Sequence, residues 1–161
     1  MIKNPKRLEE YIVQSKGRKI LFQPNSIDLR IDEVYVIGEG LRLSANGDRE
    51  LPDYARVEAD RGWFKLRSDQ LYQIEFEEKV DMPLGVCGIT LLRSTMFKSG
   101  ASGESGLFDS GYRGGTGMTI ATRKDVQIER GAPIAQMLFF ESEEGSLYSG
   151  YYQNGYKFKG D

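Results

Sequence analysis

The chain has no histidine and a single cysteine among its 161 residues. Without histidine there is no Ser-His-Asp or Cys-His catalytic set, so any general base must come from Asp, Glu, Lys or Tyr. One cysteine cannot close an internal disulfide, and with no histidine beside it a zinc site of the usual kind is excluded. That residue, Cys87, lies in Val86-Cys87-Gly88-Ile89 and reads as a packed small hydrophobe. Long apolar runs are also missing. Met137-Leu138-Phe139-Phe140 is typical of the longest, far short of a membrane span. No signal-peptide pattern opens the chain, which predicts a cytoplasmic protein with no membrane partner. An excess of either charge is lacking too: 22 Lys and Arg stand against 24 Asp and Glu, for a net charge of −2. That argues against binding nucleic acid through a broad basic surface. It leaves room for a small anionic ligand held by a local cluster of donors.

Glycine, by contrast, is abundant at 19 residues, with nine tyrosines and eight phenylalanines. This mixture suits an all-β protein with tight turns. The length suits one domain spanning 1–161 with a real core. Pro5 followed by Leu8, Tyr11 and Ile12 predicts one short N-terminal helix, stopped by Gly17. Ser26-Ile27-Asp28-Leu29-Arg30-Ile31 alternates as a strand, with Ile27, Leu29 and Ile31 on one face and the polar residues on the other. Tyr72, Ile74 and Phe76 alternate with Gln73, Glu75 and Glu77 in a second strand. Residues 86–92 are almost wholly apolar and read as a strand buried on both faces. Residues 117–121 and 134–140 read as further strands, with shorter ones at 34–37 and 63–66. Turn signals lie between them, at Ala45-Asn46-Gly47-Asp48, 99–106, Arg130-Gly131 and 141–146. Such spacing indicates a sandwich, jelly roll or barrel. Residues 148–161 lack a period, and read as a frayed end or a closing arm.

Candidate chemistry gathers in a few segments. Gly106-Leu107-Phe108-Asp109-Ser110-Gly111-Tyr112-Arg113-Gly114 brings an acid, an aromatic and a base together between glycines. Asp109 could orient a water for attack on phosphorus, and Tyr112 could stack on a sugar or base; an ordinary turn would use the same residues. Arg93-Ser94-Thr95, with Lys98 beyond, offers what phosphate oxygens bind, or is a solvated loop. Gln136 interrupts an apolar strand; its amide bonds backbone at a sheet edge or faces a polar ligand. Asp28 is a solvent-facing acid, or one that holds an arginine or a metal-bound water.

In order along the chain, these segments resemble the motifs of the superfamily of deoxyuridine triphosphatases (dUTPases) and deoxycytidine triphosphate deaminases. Gln23-Pro24-Asn25-Ser26-Ile27-Asp28-Leu29-Arg30 is similar to the first motif in its deaminase-like form. Arg93-Ser94-Thr95-Met96 resembles the second and the Gly106 to Gly114 stretch the third. Pro133-Ile134-Ala135-Gln136-Met137 resembles the fourth, and Tyr148-Ser149-Gly150-Tyr151-Tyr152-Gln153 a deaminase-type C-terminal motif. The resemblance implies a distorted jelly roll, the dUTPase-like β-clip. It implies a homotrimer with its sites at subunit interfaces, and a deoxynucleoside triphosphate substrate with Mg²⁺. By the same resemblance Asp109 activates the water that attacks the α-phosphorus, and Tyr112 packs under the deoxyribose. Arg93, Ser94, Thr95 and Gln136 take the phosphates, and backbone at Gly106 and Leu107 reads the uracil edge. Tyr152, Gln153 and Lys157, on the candidate closing arm 148–161, are expected to bind the substrate. Mg²⁺ travels with the triphosphate, with no direct protein ligand and Asp28 in reach only through water. The deaminases carry their proton-shuttling glutamate ten residues after the third-motif Asp; that position is Thr119 here. Threonine does not shuttle protons near neutral pH, so hydrolysis of dUTP to dUMP and pyrophosphate is expected over deamination of dCTP. A nucleotide-binding relative without catalysis is the alternative.

Overall fold

Strands dominate the computed structural model, which describes residues 1–14, 16–143 and 146–154. A 3₁₀ helix, Pro5–Tyr11, opens the chain with Asn4 as its cap: the Asn4 side chain accepts from the Lys6 N–H. Strands follow at Ile12–Gln14 (β1), Leu21–Phe22 (β2), Ile27–Ile37 (β3), Arg42–Leu43 (β4), Arg49–Glu50 (β5), Tyr54–Arg56 (β6), Trp63–Leu66 (β7), Leu71–Asp81 (β8) and Val86–Leu92 (β9). A one-turn helix, Ser94–Lys98 (α1), precedes Ala101–Glu104 (β10), Arg113–Thr122 (β11), Val126–Glu129 (β12) and Pro133–Glu141 (β13). The all-β expectation holds, with differences in detail. The N-terminal helix ends at Tyr11 because Ile12 pairs with Val80 of β8. The 34–37 strand is the second half of β3, and part of the 99–106 connection is β10.

The main sheet runs β10-β11-β8-β3-β13-β9, with β1, β2 and β6 added at its flanks. β3 joins the two halves of the fold. Its first residues pair with β13, from Ile27↔Met137 to Arg30↔Pro133, and its later ones pair with β8, from Ile31↔Phe76 to Val36↔Tyr72. Register shifts between Ile31 and Glu33 and between Pro133 and Ala135 mark where the strands bend, as bulges do. The two halves close over Ile27, Leu29, Ile31, Ile74, Met137 and Phe139, all 1% exposed or less.

The alternation at 26–31 has an unexpected second side. Ser26, Asp28 and Arg30 are buried as well. Arg30 is covered because Glu78 meets it from β8: Nη1 donates to Oε1 at 2.7 Å, and the Arg30 N–H donates to Oε2 at 2.8 Å. Gln14 Nε2 also donates to Glu78 Oε1, and Arg30 Nη2 donates to the Lys19 carbonyl. Burial pushes the Glu78 carboxyl up while the Arg30 contacts pull it back. β9 differs from expectation in the other direction. Leu91 is exposed and Cys87 half-buried, so β9 is not covered on both faces.

Candidate active site

The hairpin of β10 and β11 carries the first cleft. Phe108 is fixed to β9 by a mutual backbone pair with Gly88, its N–H donating to the Gly88 carbonyl at 2.8 Å and its carbonyl accepting at 2.9 Å. A Cβ at Gly88 would come within 2.7 Å of Met82 Cε and 3.2 Å of the Leu138 carbonyl oxygen, so a side chain there would require its neighbours to shift. Asp109 then begins a turn, closed by the Tyr112 N–H to the Asp109 carbonyl at 3.1 Å. Gly111 sits in it at φ 79°, the left-handed geometry glycine adopts without strain. The turn leaves the Asp109 side chain half-exposed and drives Tyr112 inward, to 5% exposure. The Tyr112 hydroxyl donates to the Gly115 carbonyl at 2.7 Å, and its ring meets Phe108 and Tyr148 edge-on at 5.5 and 5.8 Å.

Asp109 and Tyr112 line a cavity of about 300 Å³ together with Tyr54, Gln73, Glu104, Gly106, Leu107 and Thr119, within the range of small-molecule sites. Thr119 Oγ1 donates to Gln73 Oε1 at 3.3 Å. Among the described residues neither the Gly106 nor the Leu107 N–H donates to a protein acceptor. The C-terminal segment folds back over the same turn. The Tyr148 N–H donates to the Ser110 carbonyl at 2.8 Å, and Tyr148 and Tyr152 both line the cavity. Gln153 does not. Its amide donates to the Gly111 carbonyl and accepts from the Arg113 N–H, so it clamps the segment to the turn. Lys157 lies outside the described residues.

A second cleft, of about 460 Å³, gathers Gln23, Ser26, Asp28, Arg93, Ser94 and Gln136. Asp28 is buried and accepts from Gln23 Nε2 at 3.0 Å, with Arg93 Nη1 at 3.6 Å. Of the alternatives for Asp28, holding an arginine is the one observed. Arg93 Nη1 also donates to the Pro133 carbonyl at 3.1 Å. Gln136 is on β13, between β3 and β9 and so not at a sheet edge; it accepts from Ser26 Oγ at 3.3 Å. Thr95 is exposed on α1 and does not line the cleft. The two clefts share no lining residue, so one chain holds the candidate residues as two separate groups. Gln73, Glu104 and Tyr54 were not site candidates from sequence, and Tyr148 entered only as the first residue of the C-terminal motif. Only the cross-strand register brings Gln73 and Glu104 beside Thr119.

The donor set bears on a metal. Among the described residues no group of three or more Asp, Glu, Cys or His could hold an ion. The carboxylates that line the clefts, Asp28, Asp109 and Glu104, are spread between them. A Mg²⁺ here would therefore need most of its ligands from phosphate oxygens and water. Nor is any helix of the described residues long and apolar enough to cross a membrane.

A family model described as dCTP deaminase-like matches residues 6–142. A probable deoxyuridine 5'-triphosphate nucleotidohydrolase of Methanosarcina barkeri is 34% identical over 140 residues, covering 82% of this chain and 80% of its own. The deoxyuridine 5'-triphosphate nucleotidohydrolase of Methanocaldococcus jannaschii is 28% identical over 149 residues, covering 91% and 90%. Among solved structures, the 2'-deoxycytidine 5'-triphosphate deaminase of Agrobacterium tumefaciens has a similar fold. Its TM-score is 0.68 at 15% identity, over 86% of this chain and 48% of that one. A dUTPase of Staphylococcus bacteriophage 80alpha gives 0.56 at 14% identity, over 87% and 95%.

Proposed function

This chain belongs to the dCTP deaminase-like family, and we propose that within it the protein is a dUTP pyrophosphohydrolase. The observation that carries this is the Asp109 turn: a half-exposed carboxylate at the edge of a cavity that also holds a fixed tyrosine ring. Asp109 accepts a proton from a water molecule whose oxygen attacks the α-phosphorus. The bond from that phosphorus to the bridging oxygen breaks, and pyrophosphate leaves. No covalent intermediate is required, so the absence of histidine costs nothing. Mg²⁺ bound to the triphosphate supplies charge neutralisation on the phosphate oxygens.

The remaining groups bind and orient. Tyr112, tied to the Gly115 carbonyl, presents a ring that a deoxyribose can lie against and a 2′-hydroxyl would crowd. The N–H groups of Gly106 and Leu107 donate to a base carbonyl. Arg93, Ser94 and Gln136 take phosphate oxygens, with Arg93 aimed by Asp28. In a homotrimer the second cleft of one chain adjoins the cavity of the next, so that each site is completed by a neighbour. The separation of the two groups within one chain supports this assembly. The cytoplasm, where deoxynucleotides are handled, is the proposed location, and residues 1–161 act as one domain. Deamination is disfavoured because Thr119 gives its hydroxyl proton to Gln73 and has no acidic group to shuttle one.

The test is Asp109→Asn. Formation of dUMP and pyrophosphate from dUTP should fall by about 10²–10⁴-fold, while nucleotide binding by calorimetry persists. Undiminished turnover in this variant would remove Asp109 from the chemistry. Tight binding of dUTP to the wild type without any product would establish the non-catalytic alternative instead.

A further inference from the structure

Glu104 enters none of the steps above, yet it lines the same cavity. It is directly opposite Thr119 across the β10–β11 pair, and Thr119 is directly opposite Gln73 across the β11–β8 pair. Directly opposed residues of antiparallel strands send their side chains to one face, about 4.5–5.5 Å apart. Glu104, Thr119 and Gln73 therefore form one polar row along a wall of the cavity. The hydrogen bonds in this row have a direction. The Thr119 hydroxyl proton goes to Gln73 Oε1, and Gln73 Nε2 donates to the Ile74 carbonyl. What Thr119 has left to offer is lone pairs, and an ionised Glu104 offers nothing else. Two acceptors thus stand side by side, and the second Gln73 N–H is the donor left in the row, available to a carbonyl.

β11 leads from Tyr112 past Gly117, which has no side chain, to Thr119, and all three line the cavity. A pyrimidine whose sugar lay against Tyr112 would have this row as a wall of the same cavity. The ring position opposite the glycosidic nitrogen is position 4. Cytosine carries there an amino group with two N–H donors; uracil carries a carbonyl oxygen. Carboxylates accept from the cytosine amino group, whereas a carbonyl facing a carboxylate is repelled. The carbonyl at position 2 is common to both bases and suits the N–H groups of Gly106 and Leu107.

We propose that Glu104 admits an amino-pyrimidine, so that the protein hydrolyses dCTP to dCMP and pyrophosphate as well as acting on dUTP. This rests on the reading of the Asp109 cavity as the base site. The added reaction consumes one water and breaks the bond between the α-phosphorus and the bridging oxygen. Asp109 takes the water proton and the amino group stays on the ring. Neither an oxidant nor a further co-reactant is needed.

The experiment is steady-state kinetics of the wild type, Glu104→Gln and Glu104→Ala with dUTP and with dCTP, separating dCMP, dUMP and dUTP. The wild type should form dCMP from dCTP. In both variants the ratio of kcat/KM for dCTP to that for dUTP should fall at least tenfold, most in Glu104→Gln, whose amide can donate to a base carbonyl. Glu104 is exposed at the end of β10, so neither variant threatens the fold; circular dichroism verifies this. If dUTP gives dUMP but dCTP gives no dCMP, the inference is overturned while the dUTP reading stands. An unchanged ratio in both variants, or dUTP and ammonia as the products from dCTP, also overturns it. Absence of dUMP from dUTP strikes the dUTP reading separately.

Discussion

Glu75 should make the protein less stable as the pH rises towards neutrality, and Glu75→Gln should remove that loss. Glu75 lies on β8 with Gly117 opposite on one side and Glu33 opposite on the other. Glu33 pairs with Arg56 at 2.9 Å and with Arg130 at 3.1 Å. Partial burial, then the charges of Glu33 and Asp32, push the Glu75 carboxyl from 4.5 up to about 7, with Lys79 opposing. At 1.36 kcal/mol per pH unit the unscreened cost of ionising it in the fold is about 3.4 kcal/mol. Glu75 is only half-buried, and solvent screening reduces this to about 1–2 kcal/mol. The folded state holds this proton more tightly than the unfolded state. The contribution is therefore fully present below pH 4.5 and is lost as the pH rises from 4.5 through 7. Urea unfolding of both proteins at pH 5, 6, 7 and 8 measures it. The variant should gain on the wild type steadily, reaching about 1–2 kcal/mol at pH 8, or about 2–8 °C in Tm. A difference between the two proteins that stays constant from pH 5 to pH 8 would refute the reasoning.

Two further outcomes follow from buried charge. Arg30→Met should destabilise the protein by about 3–5 kcal/mol in chemical denaturation, since it strands Glu78 without its partner; adding Glu78→Gln should restore a large part of that loss. Asp28→Asn should loosen Arg93, raising KM for dUTP by about 5–30-fold with a smaller change in kcat, which steady-state kinetics would register; an unaltered KM would mean that Asp28 does not aim the arginine.

Which features could be read from the sequence depended on how far each signal reaches along the chain. The alternation of Ile27, Leu29 and Ile31 is local, and it located β3 correctly. The burial of Arg30 is not local, because its cause, Glu78, lies 48 residues later in sequence. α1 spans five residues, too short for a helical period to emerge. β10 reads Ala-Ser-Gly-Glu, without apolar alternation, and is a strand because Thr119–Thr122 of β11 offers it a ladder. From the sequence the motif residues were named as one set. Their division between two clefts was not legible, since it follows from β3 turning from β13 to β8, which no motif encodes. Glu104 was hidden for the same reason: only register makes it a neighbour of Thr119.

The same dependence on distant contacts explains why Tyr112 can serve as a fixed surface. A tyrosine on a glycine-rich turn would ordinarily sample several rotamers. Here the turn is tied twice to Met82: the Met82 N–H donates to the Tyr112 carbonyl, and the Gly111 N–H donates to the Met82 carbonyl. Its hydroxyl is spent on Gly115, and its ring is flanked by Phe108, itself fixed to Gly88 of β9, and by Tyr148 from the C-terminal segment. The flanking segments come from three separate parts of the chain. A Cβ at Gly111 would meet Leu147 Cβ at 3.0 Å, and the φ of 79° there favours glycine, so the turn and the C-terminal segment pack closely at this residue. Discrimination by a ring requires that the ring not yield, and most of what stops it yielding lies outside the motif that contains it. A change in the C-terminal segment therefore reaches the Tyr112 ring directly, through Tyr148, without touching Asp109.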